Sequence, residues 1–177
     1  GIGTLPFPTR EETILPTNYE RVFVNTVEKV ETNHYLLKYQ GSDSEISYEY
    51  MPAKGNLDEI TVRVNNYKLN PMKGGGIRFI EDLEGVPSAG RLLRSDLIGD
   101  VVSAEFEING HIVEYALRIW QKSLVLDVSC DDGKASEFLF GKIEDVEDPK
   151  LIFIPYITYG NTNPAVLKFG SPQNYLF

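Results

Sequence analysis

An aromatic side chain flanked by cationic ones is the feature of this sequence best suited to binding chemistry. Arg118, Trp120 and Lys122 alternate along one predicted strand, so we expect them to project from the same face of a sheet. A tryptophan ring beside cationic donors can stack on a sugar ring and hydrogen-bond its hydroxyl or carboxylate groups. Asp127, on the next predicted strand, can pair with one of the cations. The pattern favours an alternative, in which Trp120 lies in the core or contacts another domain while the cations extend around it.

Polar and aromatic residues gather again near the C-terminal end, in a turn-rich segment. This second cluster consists of Tyr156, Tyr159, Asn161 and Asn163. Such side chains suit carbohydrate contacts, and they are also common in ordinary turns. We therefore place Tyr156, Tyr159 and Asn161 beside the Trp120 set as candidate ligand-binding residues, for carbohydrate or for contact with an adjacent domain.

Two glutamates are predicted to face each other across a hairpin. Glu105 and Glu114 lie at equivalent distances on either side of Asn109-Gly110. Like charges directly opposite one another are unfavourable unless they are solvated or bridged by a cation. A glycosidase would use such a pair, with one acid kept protonated by its neighbour. The pattern favours the simpler interpretation, a solvated outer face in an acidic protein.

The remaining reactive side chains are not spaced as a catalytic or metal site. His34 and His111 are far apart, and neither has a second ligand at metal-binding spacing. Cys130 is the only cysteine, and we predict that it is a small, partly buried hydrophobe. The glycines after Lys73 lack the Gly-Lys-Ser/Thr ending of a phosphate loop and lead into a strand, so they predict a connection between strands. We predict no catalytic residue, no metal ion and no cofactor.

The bulk composition limits the classes of partner. The net charge of −9 argues against nucleic acid, whose phosphates this surface would repel. No apolar run in the printed sequence is long enough to span a membrane, and its first residues do not show the pattern of a signal peptide. The single cysteine rules out an internal disulfide, and the 42% of hydrophobic residues predicts a folded core. We therefore predict that the chain neither binds nucleic acid nor inserts into a membrane.

The elements that must position these residues are predicted to be short strands. Apolar side chains alternate with polar ones around Tyr35, Tyr48 and Val62, which is typical of strands with one buried face. We predict an all-β fold, an antiparallel two-sheet β-sandwich with little or no helix. Residues 1–18 are predicted to be an extended arm, and residues 19–177 a single domain. Residues 70–100 are predicted to be a long loop region, with one strand over residues 77–80 and a single helical turn among Leu92, Leu93, Leu97 and Ile98.

Two consecutive hairpins are the most specific structural prediction. Asn109-Gly110 is typical of a type I′ turn and places Phe106 opposite Val113. Asp132-Gly133 predicts a second hairpin, which joins residues 124–130 to residues 135–143 and places Leu126 opposite Leu139. Both faces of this second hairpin are largely apolar. We therefore expect it to be covered on both sides, by a second sheet or by a neighbouring domain.

Three segments together resemble a known family. They are residues 118–127 (RIWQKSLVLD), residues 149–156 (PKLIFIPY) and residues 160–167 (GNTNPAVL). They resemble the N-terminal β-sandwich domain, of the galactose-mutarotase-like super-sandwich kind, of large bacterial proteins related to glycoside hydrolases. The resemblance covers roughly residues 100–170. It implies an all-β accessory domain that precedes the catalytic barrel of a polysaccharide-degrading protein, and it transfers no catalytic residue. We expect the parent protein to be extracytoplasmic, either periplasmic, at the cell surface or secreted.

Three functional hypotheses follow. The chain begins at Gly1 rather than Met and ends on an apolar run, so we expect a piece of a longer multidomain protein. The leading hypothesis is a non-catalytic accessory domain that packs against a downstream carbohydrate-active domain. The alternatives are an independent carbohydrate-binding module and a small glycoside-acting enzyme that uses Glu105 and Glu114. The predicted partner is accordingly a carbohydrate or an adjacent domain of the same chain.

Overall fold

A computed structural model describes residues 22–54, 57, 59–80 and 90–146, together with the backbone of three later strands. The predicted arm, residues 1–18, lies outside the described residues. The prediction of an all-β fold is confirmed, because the only helical element among the described residues is the short 3-10 turn Pro52–Lys54. The strands are β1 (Phe23–Glu31), β2 (His34–Gly41), β3 (Glu45–Tyr50), β4 (Thr61–Val64), β5 (Tyr67–Lys73), β6 (Gly76–Phe79), β7 (Arg91–Ile98), β8 (Val101–Ile108), β9 (His111–Trp120), β10 (Ser123–Cys130), β11 (Ala135–Leu139), β12 (Lys142–Glu144), β13 (Lys150–Phe153), β14 (Ala165–Phe169) and β15 (Asn174–Leu176).

The first sheet is an antiparallel meander with one apolar face. Its six strands follow the order β1-β2-β3-β4-β5-β12. Tyr35 lies opposite Tyr50 and Leu37 lies opposite Tyr48, so the aromatic and aliphatic side chains of neighbouring strands meet on the same face. Tyr35, Leu37 and Tyr50 are fully buried, as the period-two alternation predicts.

The second sheet contains the predicted Asn109-Gly110 hairpin. Its four strands follow the order β10-β9-β8-β7, all antiparallel. Asn109 and Gly110 have positive φ angles of 52° and 80°, as a type I′ turn requires. Phe106 lies opposite Val113, which confirms the predicted register. The small sheet of β6 and β11 and the sheet of β13, β14 and β15 complete the described strands.

The two large sheets pack face to face around one main core. Buried residues of β2 and β3 meet those of β8 and β9 in a single hydrophobic cluster. Phe106 and Tyr115 make an edge-to-face contact within it, with ring centroids 5.7 Å apart. Each fully buried side chain of this kind contributes about 1.5–3 kcal/mol of transfer free energy. The two-sheet β-sandwich is thus confirmed, and it leaves each sheet with an outer face.

The predicted long loop over residues 70–100 is wrong in part. β5 extends to Lys73, and β7 forms where a helical turn was expected. A β-bulge between Leu92 and Arg94 shifts the alternation by one residue, so both Leu92 and Leu97 pack against the core. Because of the bulge, the apolar residues of β7 are irregularly spaced, and a helical turn would produce a similar spacing.

The predicted hairpin at Asp132-Gly133 is also wrong. The turn itself exists, since Gly133 has a φ of 65° and its N–H donates to the Cys130 carbonyl at 3.2 Å. However, β10 pairs with β9, with Leu126 opposite Leu117, while β11 pairs with β6. The turn thus carries the chain out of one sheet into another. Coverage on both faces is not found either, because the residues of β10 are at most half-buried and Asp127 and Ser129 are exposed.

The glycines after Lys73 form a corner between sheets. The chain passes from β5 to β6 there, and the partner strands β11 and β12 turn beside it at Gly141. A Cβ at Gly141 would lie 2.5 Å from the Lys73 carbonyl oxygen, so the backbones approach too closely for any side chain. The prediction of a connection between strands is confirmed for Lys73 to Gly76.

Candidate functional site

The end of β9 presents its tryptophan to solvent. Tyr115 and Leu117 are fully buried, so the alternate residues Arg118 and Trp120 point to the outer face of the second sheet. Trp120 is 63% exposed. The favoured alternative was a core position or a contact with another domain: the core position is wrong, and the contact with another domain stays a prediction beside ligand binding.

An ion pair lies on the same outer face as the tryptophan. The Arg118 Nε lies 3.6 Å from an oxygen of Asp127, which confirms the predicted pairing across β9 and β10. Both side chains are largely exposed, so the pair contributes little to stability. Arg118 still carries further N–H donors on its guanidinium, and Asp127 offers acceptor oxygens. The pair can therefore hydrogen-bond a polar ligand beside the ring.

Lys122 is not brought alongside the tryptophan as the alternation predicted. β9 ends at Trp120, and Lys122 lies in the turn that joins β9 to β10. Its ammonium is bound to Asp43 at 2.5 Å and lies 5.4 Å from the centroid of the Tyr39 ring. Hydrogen bonds from Lys122 and then from Tyr39 lower the pKa of Asp43 to about 2. Lys122 therefore fixes the turn to the first sheet.

The same turn is held by two more side chains of the first sheet. Asn25 of β1 donates to the Gln121 carbonyl at 2.7 Å and accepts from the Gln121 N–H at 2.9 Å. Tyr48 of β3 donates to the Lys122 carbonyl at 2.7 Å. Gln121 itself has a positive φ of 52°. Both residues of the turn next to Trp120 are thus anchored to the first sheet. We call the contacts of Asn25, Tyr48 and Asp43 with this turn the turn clamp.

The two glutamates lie opposite each other as predicted, on the outer face of the second sheet. Each is already engaged. Glu105 receives a hydrogen bond from Arg94 at 2.9 Å, and Glu114 receives one from Ser103 at 2.6 Å. The Arg94 guanidinium balances one of the two negative charges, which reduces the repulsion between the two glutamates. This geometry matches a solvated, salt-bridged outer face.

The C-terminal candidates lie outside the described residues. These are Tyr156, Tyr159, Asn161 and Asn163. Their grouping with Trp120 stays a prediction.

A histidine, an aspartate and the cysteine meet at the other end of β9. His111 is 9% exposed, stacks on Phe79 with centroids 4.1 Å apart and lies 2.5 Å from Asp132. The Cys130 thiol donates to the other Asp132 oxygen at 3.2 Å. Hydrogen bonds from His111 and then from Cys130 lower the pKa of Asp132 to about 2, while burial raises the pKa of Cys130. Because a raised pKa keeps the thiol protonated, the arrangement suits structure better than nucleophilic chemistry.

The sequence spacing did not predict this histidine–aspartate contact, since the two turns that carry the residues meet only through the pairing of β9 with β10.

Among the residues that the structure describes, no group of three or more potential ligands could hold a metal ion. A shallow cavity of about 230 Å³ lies beside Cys130 and is lined by Ile77, Val128, Ala135, Ser136, Glu137 and Phe138. It is smaller than the clefts that bind most small ligands.

No protein-family model, curated protein or solved structure matches this chain. Within the part of the chain that the structure describes, no helix is long and apolar enough to cross a membrane.

Proposed function

We propose that this chain is a non-catalytic β-sandwich accessory domain of a larger bacterial carbohydrate-active protein, and that it packs against an adjacent domain outside the cytoplasm. The observation that carries the proposal is Phe140, a large apolar side chain that is 77% exposed. The resemblance over residues 100–170 to domains that precede a glycoside-hydrolase barrel supports the same conclusion.

Phe140 is positioned as a contact residue rather than as a stray surface hydrophobe. Its ring packs edge-on against Phe138, with centroids 5.2 Å apart, and Ile143 nearby is also exposed. It directly precedes Gly141, where close backbone packing fixes the corner between sheets. A ring held outward by a rigid backbone loses little conformational freedom on association. If another domain covered Phe140, removal of its apolar ring from water would stabilise the contact between the domains.

Hydrogen exchange tests the proposal. Amides of residues 135–144 are compared in the isolated chain and in the full-length product of its gene. We expect about tenfold slower exchange in the full-length protein, because an interface suppresses local opening. The exposed edge strand β1 is the internal control and should exchange equally in both. Equal exchange of residues 135–144, or a gene product without a further domain, would contradict the proposal.

A matched pair of variants adds a second readout. Phe140→Ser should weaken the contact between domains in the full-length protein while it leaves the isolated chain's stability within about 0.5 kcal/mol. Val24→Ser removes another exposed apolar side chain, on β1, and should change neither property.

The exposed Trp120 favours a second candidate function, an independent carbohydrate-binding module. The glycoside-acting enzyme gains no such support, because Glu105 and Glu114 lie on an open sheet face and each is already bound to a neighbour. Turnover of aryl glycosides that is lost in Glu114→Gln is the result that the enzyme hypothesis requires.

A further inference from the structure

The turn clamp joins the first sheet to the turn of the second sheet that directly follows the exposed Trp120. Asn25 is an unusual choice inside a strand, because asparagine is disfavoured there. Its side-chain amide makes both hydrogen bonds that a neighbouring strand would offer to Gln121. A hairpin tip of this length would ordinarily be among the more mobile parts of a sheet. The clamp therefore restrains the backbone on the C-terminal side of Trp120.

We propose that Trp120 is a preorganised stacking platform for a neutral pyranose ring, and that Asn25 and Tyr48 are positioning residues for that platform. This inference rests on the second candidate function. A ring that is fixed before binding loses less conformational entropy when a ligand stacks on it. The clamp restrains the backbone beside Trp120 from outside the binding surface, so the ring face stays open.

The surface around the ring has the mixed character of a sugar. Val101 and Val125 flank Arg118 on the neighbouring strands, and Ile98 is exposed at the edge of the same row. A pyranose has an apolar C–H face and an edge of hydroxyl groups, which match an aromatic ring and the Arg118–Asp127 pair. Ala116 and Ser103, the next outward residues, are small, which leaves room for a second ring beside the first.

The charges favour a neutral ligand over an anionic one. Arg118 is balanced by Asp127 and Arg94 by Glu105, while Glu114 adds a negative charge to the same face. The whole chain carries a net charge of −9. Uronates and sulfated sugars would meet an unfavourable potential here, whereas neutral sugars would not.

Trp120 is the only tryptophan in the chain, so its fluorescence reports on the site directly. The chain is titrated with neutral xylan-, cellulose- and mannan-derived hexasaccharides and with anionic polygalacturonate and alginate fragments. We expect an emission shift and binding for at least one neutral ligand, and at least about tenfold weaker binding of the anionic ones, a difference of about 1.4 kcal/mol. Trp120→Ala should lose at least about tenfold in affinity, as aromatic anchors at binding surfaces do.

The positioning role is tested by Asn25→Ala and Tyr48→Phe. Each should weaken binding by about threefold to tenfold and lower the fluorescence anisotropy of Trp120, because the ring gains freedom that binding must then remove. Ser95→Ala is the matched control. It removes the hydrogen bonds that join Ser95 to Tyr35 and to Asn33, away from the turn, and should leave affinity and anisotropy unchanged.

The outcomes separate this inference from the accessory-domain proposal. Absence of binding to every neutral ligand, or equal binding of the anionic ones, would overturn the inference. Shielding of Trp120 by an adjacent domain in the full-length protein would also overturn it. In the first two cases, protection of residues 135–144 would still support the accessory domain.

Discussion

The two ends of β9 carry aromatic rings in opposite environments. At the N-terminal end, His111 is buried, stacked on Phe79 and bound to Asp132. At the C-terminal end, Trp120 is open to solvent although the adjoining turn is anchored by the turn clamp. Both ends are therefore ordered, and only one is covered.

The difference shows that exposure of Trp120 does not come from loose packing. A frayed strand end would expose its side chains because nothing holds the backbone. Here the backbone next to Trp120 is held by the opposite sheet, and the ring still faces outward. The His111 end is thus packed into the sandwich, and the Trp120 end combines an anchored backbone with the open ring that the proposed platform requires.

Replacing His111, at the covered end of β9, should have the largest effect on the free energy of unfolding. His111→Ala removes the ring that packs on Phe79 and leaves Asp132 without that partner, so we expect a loss of about 2–3 kcal/mol in the free energy of unfolding. Trp120→Ala should change it by no more than about 0.5 kcal/mol, because the side chain is exposed. Urea denaturation measures both. Similar losses for the two variants would contradict the division between the ends.

Two buried tyrosines, Tyr115 in the middle of β9 and Tyr50 in β3, show how much a buried hydrogen bond contributes to stability. The Tyr115 hydroxyl accepts the Ile77 N–H at 3.0 Å, so Tyr115→Phe leaves a buried donor unpaired and should cost about 1–2 kcal/mol. Among the described residues, none offers a hydrogen-bond partner to the buried Tyr50 hydroxyl, and burial raises the pKa of Tyr50. Tyr50→Phe should therefore be neutral or stabilising. Thermal unfolding of the two variants compares them, and a larger loss for Tyr50→Phe would contradict the hydrogen-bond assignment.

Acid pH should weaken both ends. The pKa of Asp132 and that of Asp43 are each lowered to about 2 in the folded chain, by His111 and by Lys122 first. A carboxyl whose folded pKa is lowered stabilises the fold above its unfolded pKa, and that stability is lost as the pH falls through the folded pKa. We expect the melting temperature to fall between about pH 4 and pH 2. The fall should be smaller in Asp132→Asn and in Asp43→Asn, and an unchanged profile in both would count against these contacts.

The smallest expected effect concerns the exposed ion pair. Asp127→Asn should change the unfolding free energy by less than about 0.5 kcal/mol, because the Arg118–Asp127 pair is solvated. A loss above 1 kcal/mol would show that the outer face near Trp120 is structural rather than free for contacts.

Local signals predicted the fold best where partners are close in sequence. Asn109-Gly110 requires positive φ angles, and its apolar neighbours fix the register, so the first hairpin was predictable. Gln121 also adopts a positive φ but carries no glycine signal, so the β9–β10 turn was missed. Asp132-Gly133 has the hairpin signal without the hairpin, because the partner of β11 is β6, far away in the sequence.

The candidate site was predictable only in part for the same reason. The outward direction of Arg118 and Trp120 follows from strand alternation, and Asp127 follows from the neighbouring strand. The contacts of Asn25 with Gln121 span 96 positions of the chain. An asparagine inside a strand was the one available signal, and it does not say which turn it binds.

Acrylamide quenching of the single tryptophan tests whether Trp120 is both open to solvent and anchored. In the native isolated chain, Trp120 should be quenched nearly as strongly as in the urea-unfolded chain, and its anisotropy should still be that of a fixed ring. A saturating neutral oligosaccharide should then reduce the quenching. Strong protection of Trp120 in the free native chain, or a freely rotating ring, would contradict the account of an open and anchored contact end.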